Sequence, residues 1–312
     1  MPLQTSQVHI DAALSNLSIA YTPGGMVAEQ CLPVLKVVKE SDKYYKWDRG
    51  NMLRVPESKR SDGAESNKVT FDLTKNNSYQ CEEYAYNTDL TDRQIGNSDS
   101  VLNLRANKAK FLKELLMLDQ EKRVATLLTT TSNYDSSVYT TLSGTDQWNN
   151  DSFSGSIESD LDTGKEAVRG LIGFEPNIII IPAAVAKVMK RDAQIRELIK
   201  YTKNDLLVNG DLPPTLFNMK VIIPTAINIT SKQGASSDTT ADVWGKHVVM
   251  LYRPPQGSLE TPAFGYILRQ RNFLAKRWRE ESKAKEVIEV STIQDEIVTS
   301  NISGYLISSC IA

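Results

Sequence analysis

PNIIIIPAAVAKVMKRDAQIRELIKYT, residues 176–202, is the stretch of sequence that limits the fold most. Four consecutive isoleucines, Ile178 to Ile181, have no polar residue between them, which is typical of a strand covered on both faces. Pro182 ends this run and suits the first turn of a helix. Apolar residues then recur at helical spacing: Val185, Val188, Met189, Ile195, Leu198 and Ile199. The stretch predicts a central strand, a tight turn and a helix.

A strand, turn and helix in this order would bind a dinucleotide if glycines let the backbone approach the phosphates at the helix N-terminus. Here the turn has no glycine, and the β-carbons of Ala183 and Ala184 would obstruct that approach. The nearest match to a phosphate-binding loop surrounds Gly164 and Lys165, but Glu166 stands where the motif needs a hydroxyl residue. We therefore expect no nucleotide cofactor at either place.

The 312 residues are enough for two domains, and 36 basic against 38 acidic residues give a formal net charge of -2. This balance predicts no general attraction to nucleic acid or to an anionic membrane. No stretch approaches the ~20 apolar residues that span a bilayer, and the N-terminal residues lack the pattern of a signal peptide. We expect a cytosolic chain without a membrane partner.

Motifs for catalysis or metal binding are scarce. The chain has two histidines, His9 and His247, and three widely spaced cysteines without a CxxC pair, so neither a histidine-rich metal site nor a disulfide framework is expected. No GxSxG or HExxH motif occurs. Adjacent carboxylates such as Glu82 and Glu83 would point to opposite faces of a strand. We predict no catalytic residue, no cofactor and no metal, and we expect His247, beside a strand, to be structural.

Residues 43–55 are rich in aromatic and β-favouring side chains, and residues 67–73 alternate apolar and polar, which predicts a long two-stranded ribbon. Residues 56–66 between them are polar apart from Ala64 and would form a charged tip. An isolated hairpin is only marginally stable in water, so the ribbon needs support. Two interpretations stay open: the ribbon folds back on its own domain, or it is an arm that packs on a neighbouring subunit.

The longest helical pattern runs from Asp99 to about Thr129. Two apolar stripes share it: Leu102, Ala106, Ala109, Leu116, Val124 and Leu127 on one side, with Leu104, Phe111, Leu115 and Leu118 nearly opposite. Charged flanks, including Glu121, would separate the stripes. This pattern predicts a helix that is packed on two sides.

Residues 129–156 are a polar loop of unusual length, which favours a domain transition there. The second domain would contain a helix over residues 157–172, the isoleucine strand and its helix, and strands near 220–223 and 247–252. After Pro254 and Pro255, short β-like runs separated by turn residues predict an antiparallel end to the chain.

Two clusters of basic residues remain. One follows the isoleucine strand, and the other lies in the C-terminal strands: Lys187, Lys190, Arg191, Arg196, Lys200 and Lys203 in the first, and Arg269, Arg271, Lys276, Arg277 and Arg279 in the second. Each cluster is either a solvated face or a contact for phosphates or acidic partners.

The order of these parts resembles a known family. IAYTPGGMVAEQCLPVLKVVKESDKYYKWDRGNMLRV, SYQCEEYAYNTDL, LSGTDQW, the isoleucine stretch and DVWGKHVVMLY follow one another as in the major capsid proteins of tailed bacteriophages with the Hong Kong 97-type fold. The resemblance implies an α+β fold with five parts: an N-terminal arm over 1–36, an extended loop over 37–86, a peripheral domain over 87–156 with a spine helix over 101–129, an axial domain over 157–260, and peripheral return strands over 261–312.

The resemblance also implies function. Copies would assemble into hexamers and pentamers of an icosahedral shell around double-stranded DNA, in the host cytoplasm and then in the virion. Inter-subunit contacts are expected at the ribbon tip and after the isoleucine strand: Lys59, Arg60, Asp62 and Glu65, and Lys187, Lys190 and Arg191. The ribbon begins near residue 40, which leaves no room for an internal scaffolding segment, so we expect a separate scaffolding protein or none. Portal and decoration proteins are further expected partners.

Two alternatives stay open. A bacterial nanocompartment shell resembles the same fold but encloses cargo enzymes, and a cytosolic α/β enzyme would be a different class. The missing glycine loop and the scarce histidines count against the enzyme. No residue here matches the covalent cross-linking that some members of the capsid family perform.

Overall fold

The computed structural model describes residues 9–10, 25–44, 49–63, 65–66, 68, 77–97, 103–200, 212–232, 234–255, 257 and 261–312. Its α-helices are α1 (Ala28–Cys31), α2 (Arg49–Leu53), α3 (Asp92–Gly96), α4 (Leu104–Thr129), α5 (Ile157–Ile172), α6 (Ala183–Met189) and α7 (Ala193–Lys200). Its strands are β1 (His9–Ile10), β2 (Val34–Lys36), β3 (Ser41–Tyr44), β4 (Asn77–Gln80), β5 (Glu82–Thr91), β6 (Tyr139–Thr141), β7 (Ile178–Ile180), β8 (Thr215–Leu216), β9 (Met219–Ile222), β10 (Ile227–Ile229), β11 (Thr240–Asp242), β12 (Val248–Leu251), β13 (Gly265–Glu280), β14 (Lys285–Val298) and β15 (Gly304–Ser308). None of the described helices is apolar over the length that a bilayer requires.

The first sheet is built on the long strands β13 and β14. Its order is β1-β13-β14-β5, and β2 pairs in parallel with β13. The antiparallel β13–β14 ladder closes at a turn where Ala284 takes a left-handed φ of 44°. These two strands join four of the short β-like runs and confirm the prediction of antiparallel pairing in this part of the chain.

The long helix α4 packs on this first sheet because its small and apolar residues share one face. Ala109, Leu112 and Leu116 are buried in one cluster with Ile288 and Val290 of β14. The predicted helix is therefore confirmed over residues 104–129. Residues 101–102, which were predicted to begin it, lie outside the described residues.

The isoleucine strand β7 is central in the second sheet, whose order is β6-β15-β12-β7-β9-β8. It pairs antiparallel with β12 and parallel with β9. Ile178 is 6% exposed, and Ile179, Ile180 and Ile181 are fully buried. Cover on both faces removes any need for polar alternation. The prediction of a central strand is confirmed.

Helix α5 has the predicted bounds. Ser156 Oγ accepts a hydrogen bond from Ser159 N at 3.3 Å at its start, and Gly173, with a φ of 78°, ends it. Gly164 and Lys165, the centre of the nearest phosphate-loop match, lie inside this helix. A helical backbone cannot cradle a phosphate there, because its N–H groups are already used within the helix.

Gly164 brings α5 close to the second sheet. A β-carbon added to it would lie 2.3 Å from Met250 Cε of β12 and 2.7 Å from Tyr305 Cδ1 of β15. Such distances are far below van der Waals contact, so the absence of a side chain at this position is what permits the helix to lie directly on the strands.

The predicted ribbon is correct only at its base. β3 pairs with β4 between Ser41–Gln80 and Tyr44–Asn77. Residues 49–53 form helix α2, so the prediction of an extended first arm is wrong there. RGNML contains no β-branched residue, and its Leu, Met and Arg are good helix formers. Most of the predicted second arm, residues 67–73, lies outside the described residues.

The helix predicted after Pro182 is two helices. α6 ends at Met189, and Asp192 Oδ1 then accepts hydrogen bonds from Gln194 N and Ile195 N, both at 3.0 Å. A carboxylate in this position caps a new helix N-terminus, so it redirects the chain into α7.

The polar segment 129–156 takes part in the core, whereas its composition predicts a domain transition. Tyr134, Val138 and Trp148 are buried in one cluster with Leu128 of α4. Tyr134 Oη donates to Leu128 O at 2.7 Å, and Trp148 Nε1 donates to Asp160 Oδ2 at 2.8 Å. A few large side chains are enough to hold a polar segment onto the core.

The last strand, β15, departs from the predicted antiparallel group. It pairs antiparallel with β12 and parallel with β6, so it belongs to the second sheet. A short apolar run carries no information about which sheet it joins, which explains the difference. The division into peripheral and axial domains stays a prediction.

Candidate subunit interface

The loop tip, residues 54–68, projects from the subunit. Every one of its residues whose side chain is described is exposed, and Val55 is 90% exposed. Lys59, Arg60, Asp62 and Glu65, the four predicted contact residues, are all on this surface. None of these four has an ion-pair partner among the described residues. The loop tip therefore makes little use of its own subunit, as an intermolecular arm would.

The long helix α4 is buried on one side only. Ala109, Leu116 and Val124 face the subunit core as predicted, whereas Phe111 on the second apolar stripe is 52% exposed. Leu115 and Leu118 on this stripe are half-buried. Within the described subunit the second stripe is only partly covered, so the packing of both sides of α4 stays a prediction about the assembled protein. Phe111 thus leaves an apolar ring at the surface of the described subunit, on the same stripe as Leu115 and Leu118.

A groove runs between this stripe and the edge strand β5. Tyr86 is 43% exposed, and it lies on the same face of β5 as Tyr84 and Thr88, which both contact α4. Arg123 lies over the Tyr84 ring at 3.7 Å, and Lys108 Nζ donates to Thr88 Oγ1 at 3.4 Å. We call this surface the helix groove. Its two exposed aromatic residues, Phe111 and Tyr86, make it a candidate apolar contact surface.

A recess widens the helix groove at each end. One, of about 450 Å³, is lined by Asp119, Lys122, Arg123, Thr126, Leu127, Thr130, Asn133 and Glu296. The other, of about 440 Å³, is lined by Leu90, Arg93, Gln94, Asn97, Leu104 and Lys108. In the first recess Arg123 is already paired, because its Nε lies 3.0 Å from Glu296 Oε2 and its Nη2 lies 3.1 Å from Glu296 Oε1. This fork geometry fixes the arginine firmly in place. The exposed Lys122 lines the same recess.

The predicted contacts after the isoleucine strand lie at the α6–α7 corner. Lys187 and Arg191 are exposed, while Lys190 is half-buried. Below them Val185 and Met189 are buried in the main core. The corner is thus a rigid, positively charged projection, and it stands apart from the helix groove in the fold.

The second basic cluster is neutralised inside the subunit. Arg269 Nη2 lies 2.6 Å from Glu29 Oε1, Arg279 Nη2 lies 2.8 Å from Asp92 Oδ2, and the other three members also face carboxylates. The cluster is therefore a partly solvated face whose cations are paired with carboxylates of the same subunit, and it is not an open phosphate site. The reason is that β13 pairs with strands and loops rich in Glu and Asp.

A buried carboxylate anchors the N-terminal segment, and the sequence did not indicate it. Glu121 of α4 is fully buried and accepts from Val27 N at 2.9 Å, from Ala28 N at 2.8 Å and from Trp244 Nε1 at 2.6 Å. Burial raises the pKa of Glu121, and these three donors oppose that change. The prediction of a charged flank at this position is wrong.

The signal for this anchor was the position of Glu121 in the helical pattern. It lies three residues before Val124 and four before Ala125, on the buried face of α4. A charged residue in that register indicates a buried partner, since an unpaired charge there would be very costly. Spacing alone did not identify the partners, because Val27, Ala28 and Trp244 are distant in sequence.

His247 has a structural contact, in line with the expectation for it. Its Nδ1 accepts from Ser309 N at 3.2 Å and lies 3.1 Å from Ser308 Oγ. Burial lowers the pKa of His247, because the charged ring would lose its hydration. The neutral ring therefore joins the start of β12 to the end of β15.

Comparison with known proteins agrees with this geometry. The major capsid protein of Burkholderia phage BcepMu is 28% identical over 309 residues, which cover 96% of each chain. Among solved structures, a phage-related protein from Bordetella bronchiseptica RB50 is similar with a TM-score of 0.75 at 21% identity, covering 97% of this chain and 98% of that one. The capsid of cyanophage P-SCSP1u follows with a TM-score of 0.65 at 8% identity, covering 93% and 89%.

The same fold also occurs in a nanocompartment. The SrpI encapsulin from Synechococcus elongatus PCC 7942 is similar with a TM-score of 0.55 at 11% identity, covering 99% of this chain and 96% of that one. At such identities the likeness concerns the fold alone.

The chain has the Hong Kong 97-type fold of phage capsid proteins, which confirms the resemblance seen in the sequence. The chain belongs to the phage capsid protein family, whose model matches residues 76–284.

Proposed function

We propose that this chain builds the shell of a phage capsid by self-association, with the loop tip of one copy lying in the helix groove of the next. The main observation behind this proposal is that one chain has two surfaces that its own subunit leaves uncovered. The loop tip is exposed along its length, and the helix groove exposes Phe111 and Tyr86. A contact between two different surfaces of identical copies is head-to-tail, and it closes into rings.

The same proposal extends to partners and location. Hexamers and pentamers would close an icosahedral shell around double-stranded DNA, assembled in the host cytoplasm and carried in the virion. The role is structural and not enzymatic. Lys187, Lys190 and Arg191 of the α6–α7 corner would contact neighbouring copies around the ring axes. A separate scaffolding protein, a portal and decoration proteins are further proposed partners, and contact with DNA would be weak and non-specific.

A nanocompartment shell is the second candidate, favoured by the fold shared with the encapsulin. The match to the phage capsid protein model over residues 76–284 and the capsid relative at 28% identity favour the phage shell. The nature of the enclosed material separates the two candidates, since one holds DNA and the other holds enzymes.

Deleting residues 56–66 tests the contact. We expect the shortened subunit to fold, because these residues contribute no buried side chain, and to assemble poorly. The matched control keeps the length of the loop but replaces residues 56–66 with Gly and Ser, so it separates the loss of these side chains from the loss of loop length. Sedimentation would measure assembly, and urea unfolding would measure folding. Normal shells from the shortened chain would contradict the proposed contact.

A further inference from the structure

The recess of about 440 Å³ lies where β5 turns into α3 and where α4 begins. Leu90, which is 1% exposed, and the half-buried Leu104 give it an apolar lining. Arg93 and Lys108 bring two positive charges to its rim, and none of the described residues that line it is a carboxylate. We call it the Arg93 recess.

The cations of the Arg93 recess lack acidic partners among the described residues. Arg93 is exposed and has no ion pair, and Lys108 Nζ donates to the neutral Thr88 Oγ1 at 3.4 Å. Nearby cations behave differently. Arg105 Nε lies 2.7 Å from Glu286 Oε2, and Arg279 pairs with Asp92. Unpaired positive charges in a surface recess, beside cations that are all paired, indicate that carboxylates from outside the subunit bind there.

The loop tip carries carboxylates of the required kind. Asp62 and Glu65 are exposed and have no partner among the described residues. They flank Gly63, whose φ of 75° turns the chain, and no atom lies within 4 Å of where its β-carbon would be. Both carboxylates are therefore accessible on the exposed loop tip, beside this turn.

We infer that the Arg93 recess binds Asp62 and Glu65 of a second copy of this chain. The inference rests on the proposed function, and it adds which end of the helix groove the turn of the loop occupies. The opposite recess has two carboxylates, Asp119 and Glu296, beside two cations, Lys122 and Arg123, so it offers no excess of positive charge to the acidic turn. The turn of the loop therefore lies toward α3, and the rest of the loop follows α4 toward its C-terminus.

The apolar lining of the Arg93 recess should strengthen these ion pairs. Leu90 and Leu104 exclude water from one side of the recess, so the charges attract more strongly than on an open surface. The exposed side stays accessible to salt. Assembly should therefore weaken as the ionic strength rises from about 0.05 to 0.5 M, because the Debye length falls below the separation of the charges during approach.

Charge reversal tests the inference. R93E/K108E and D62K/E65K each place like charges against each other, and we expect each to lower the yield of assembled particles by about tenfold or more. The variant that carries all four substitutions restores opposite charges and should regain assembly. D151K/D162K, which reverses two exposed carboxylates outside the loop tip and the helix groove, is the matched control and should assemble normally.

A mixture of the two double variants shows whether the contact joins different copies. Each variant alone repels itself, but the basic loop of D62K/E65K fits the acidic recess of R93E/K108E, and the reverse pair also fits. An equal mixture should therefore form rings of six, in which the two variants alternate, whereas a ring of five would keep one like-charged contact. Urea unfolding of each variant shows whether the subunit is still folded, so that lost assembly is not lost folding.

The outcomes separate this inference from the proposed function. If the unmodified chain forms shells and D62K/E65K forms them equally well, or if neither the fourfold variant nor the mixture recovers, the inference is overturned while the shell function stands. If R93E/K108E loses binding to a short DNA duplex and assembles normally, the recess serves nucleic acid and the inference is also overturned. If the unmodified chain forms neither rings nor shells, the proposed function itself fails.

Discussion

Glu121 accepts a hydrogen bond from Trp244 Nε1 at 2.6 Å, and through it α4 on the first sheet is joined to the segment that leads into the second sheet. The same carboxylate holds Val27 and Ala28, so three parts of the chain meet at one buried side chain. All three partners are N–H donors, and only an acceptor-only group satisfies them together. Glu121 is therefore the residue that couples the N-terminal segment to both sheets.

Replacing Glu121 with Gln should destabilise the subunit. The amide group turns a donor toward one of the three N–H groups, which leaves a buried donor unsatisfied and lowers the free energy of unfolding by about 1–3 kcal/mol. E166Q is the matched control, since Glu166 is a 65% exposed carboxylate on α5 and should change little. Urea unfolding of the two variants would measure the difference. Equal midpoints would contradict the role given to Glu121.

Protonation of His247 should destabilise the subunit at low pH. The folded-state pKa is lowered by burial, so the unfolded chain binds a proton first as the pH falls below about 6.5. Stability is present above that value and is lost as the pH falls toward the folded-state pKa. The charged ring would also put an N–H against Ser309 N. We expect H247Q to lose less stability than the unmodified chain between pH 7.5 and 5.5 in urea unfolding. If H247Q and the unmodified chain lose the same amount of stability over this pH range, protonation of His247 is not the cause of the loss.

Two glycines of α5 should respond to alanine in opposite ways. At Gly164 the new methyl group would meet Met250 and the Tyr305 ring, so G164A should destabilise by about 1–3 kcal/mol despite the better helix propensity. At Gly170 nothing lies within 4 Å, so G170A should stabilise by up to about 1 kcal/mol. Thermal unfolding would compare them directly. A stabilising G164A would mean that α5 lies further from β12 and β15 than described.

Phe111 should matter for assembly and not for folding. It is 52% exposed in the subunit, so F111S should change the free energy of unfolding by no more than about 0.5 kcal/mol. In an assembled shell the same side chain would be covered, and its loss should lower the yield of particles. Sedimentation of F111S and urea unfolding provide the two measurements. Normal assembly would exclude the helix groove as a contact surface.

The sequence predicted best where one physical requirement determined the pattern. A run of four isoleucines leaves no exposed face, so β7 had to be central, and the helical pattern over residues 157–172 matched α5. The sequence predicted poorly those features that depend on contacts between residues far apart in the chain. The partners of Glu121 and the sheet that β15 joins depend on chain segments far apart in sequence, and periodicity does not specify them.

The same distinction between local patterns and distant contacts applies to the surfaces proposed for the interface. The polar, proline-containing tip 56–66 indicated an exposed arm, and the four charged residues expected there are all exposed. The helical stripe that contains Phe111 was read as packed, but it is only partly covered within the described subunit. Helix α2 broke the ribbon, because an extended arm without a core gives local helix propensity little to compete with.

Electron microscopy of the purified chain after size fractionation tests the central claim most directly. The proposed function predicts closed shells, or rings of five and six copies, with density for the loop tip over the helix groove of the adjacent copy. A chain that remains a monomer or a dimer at high concentration would contradict it.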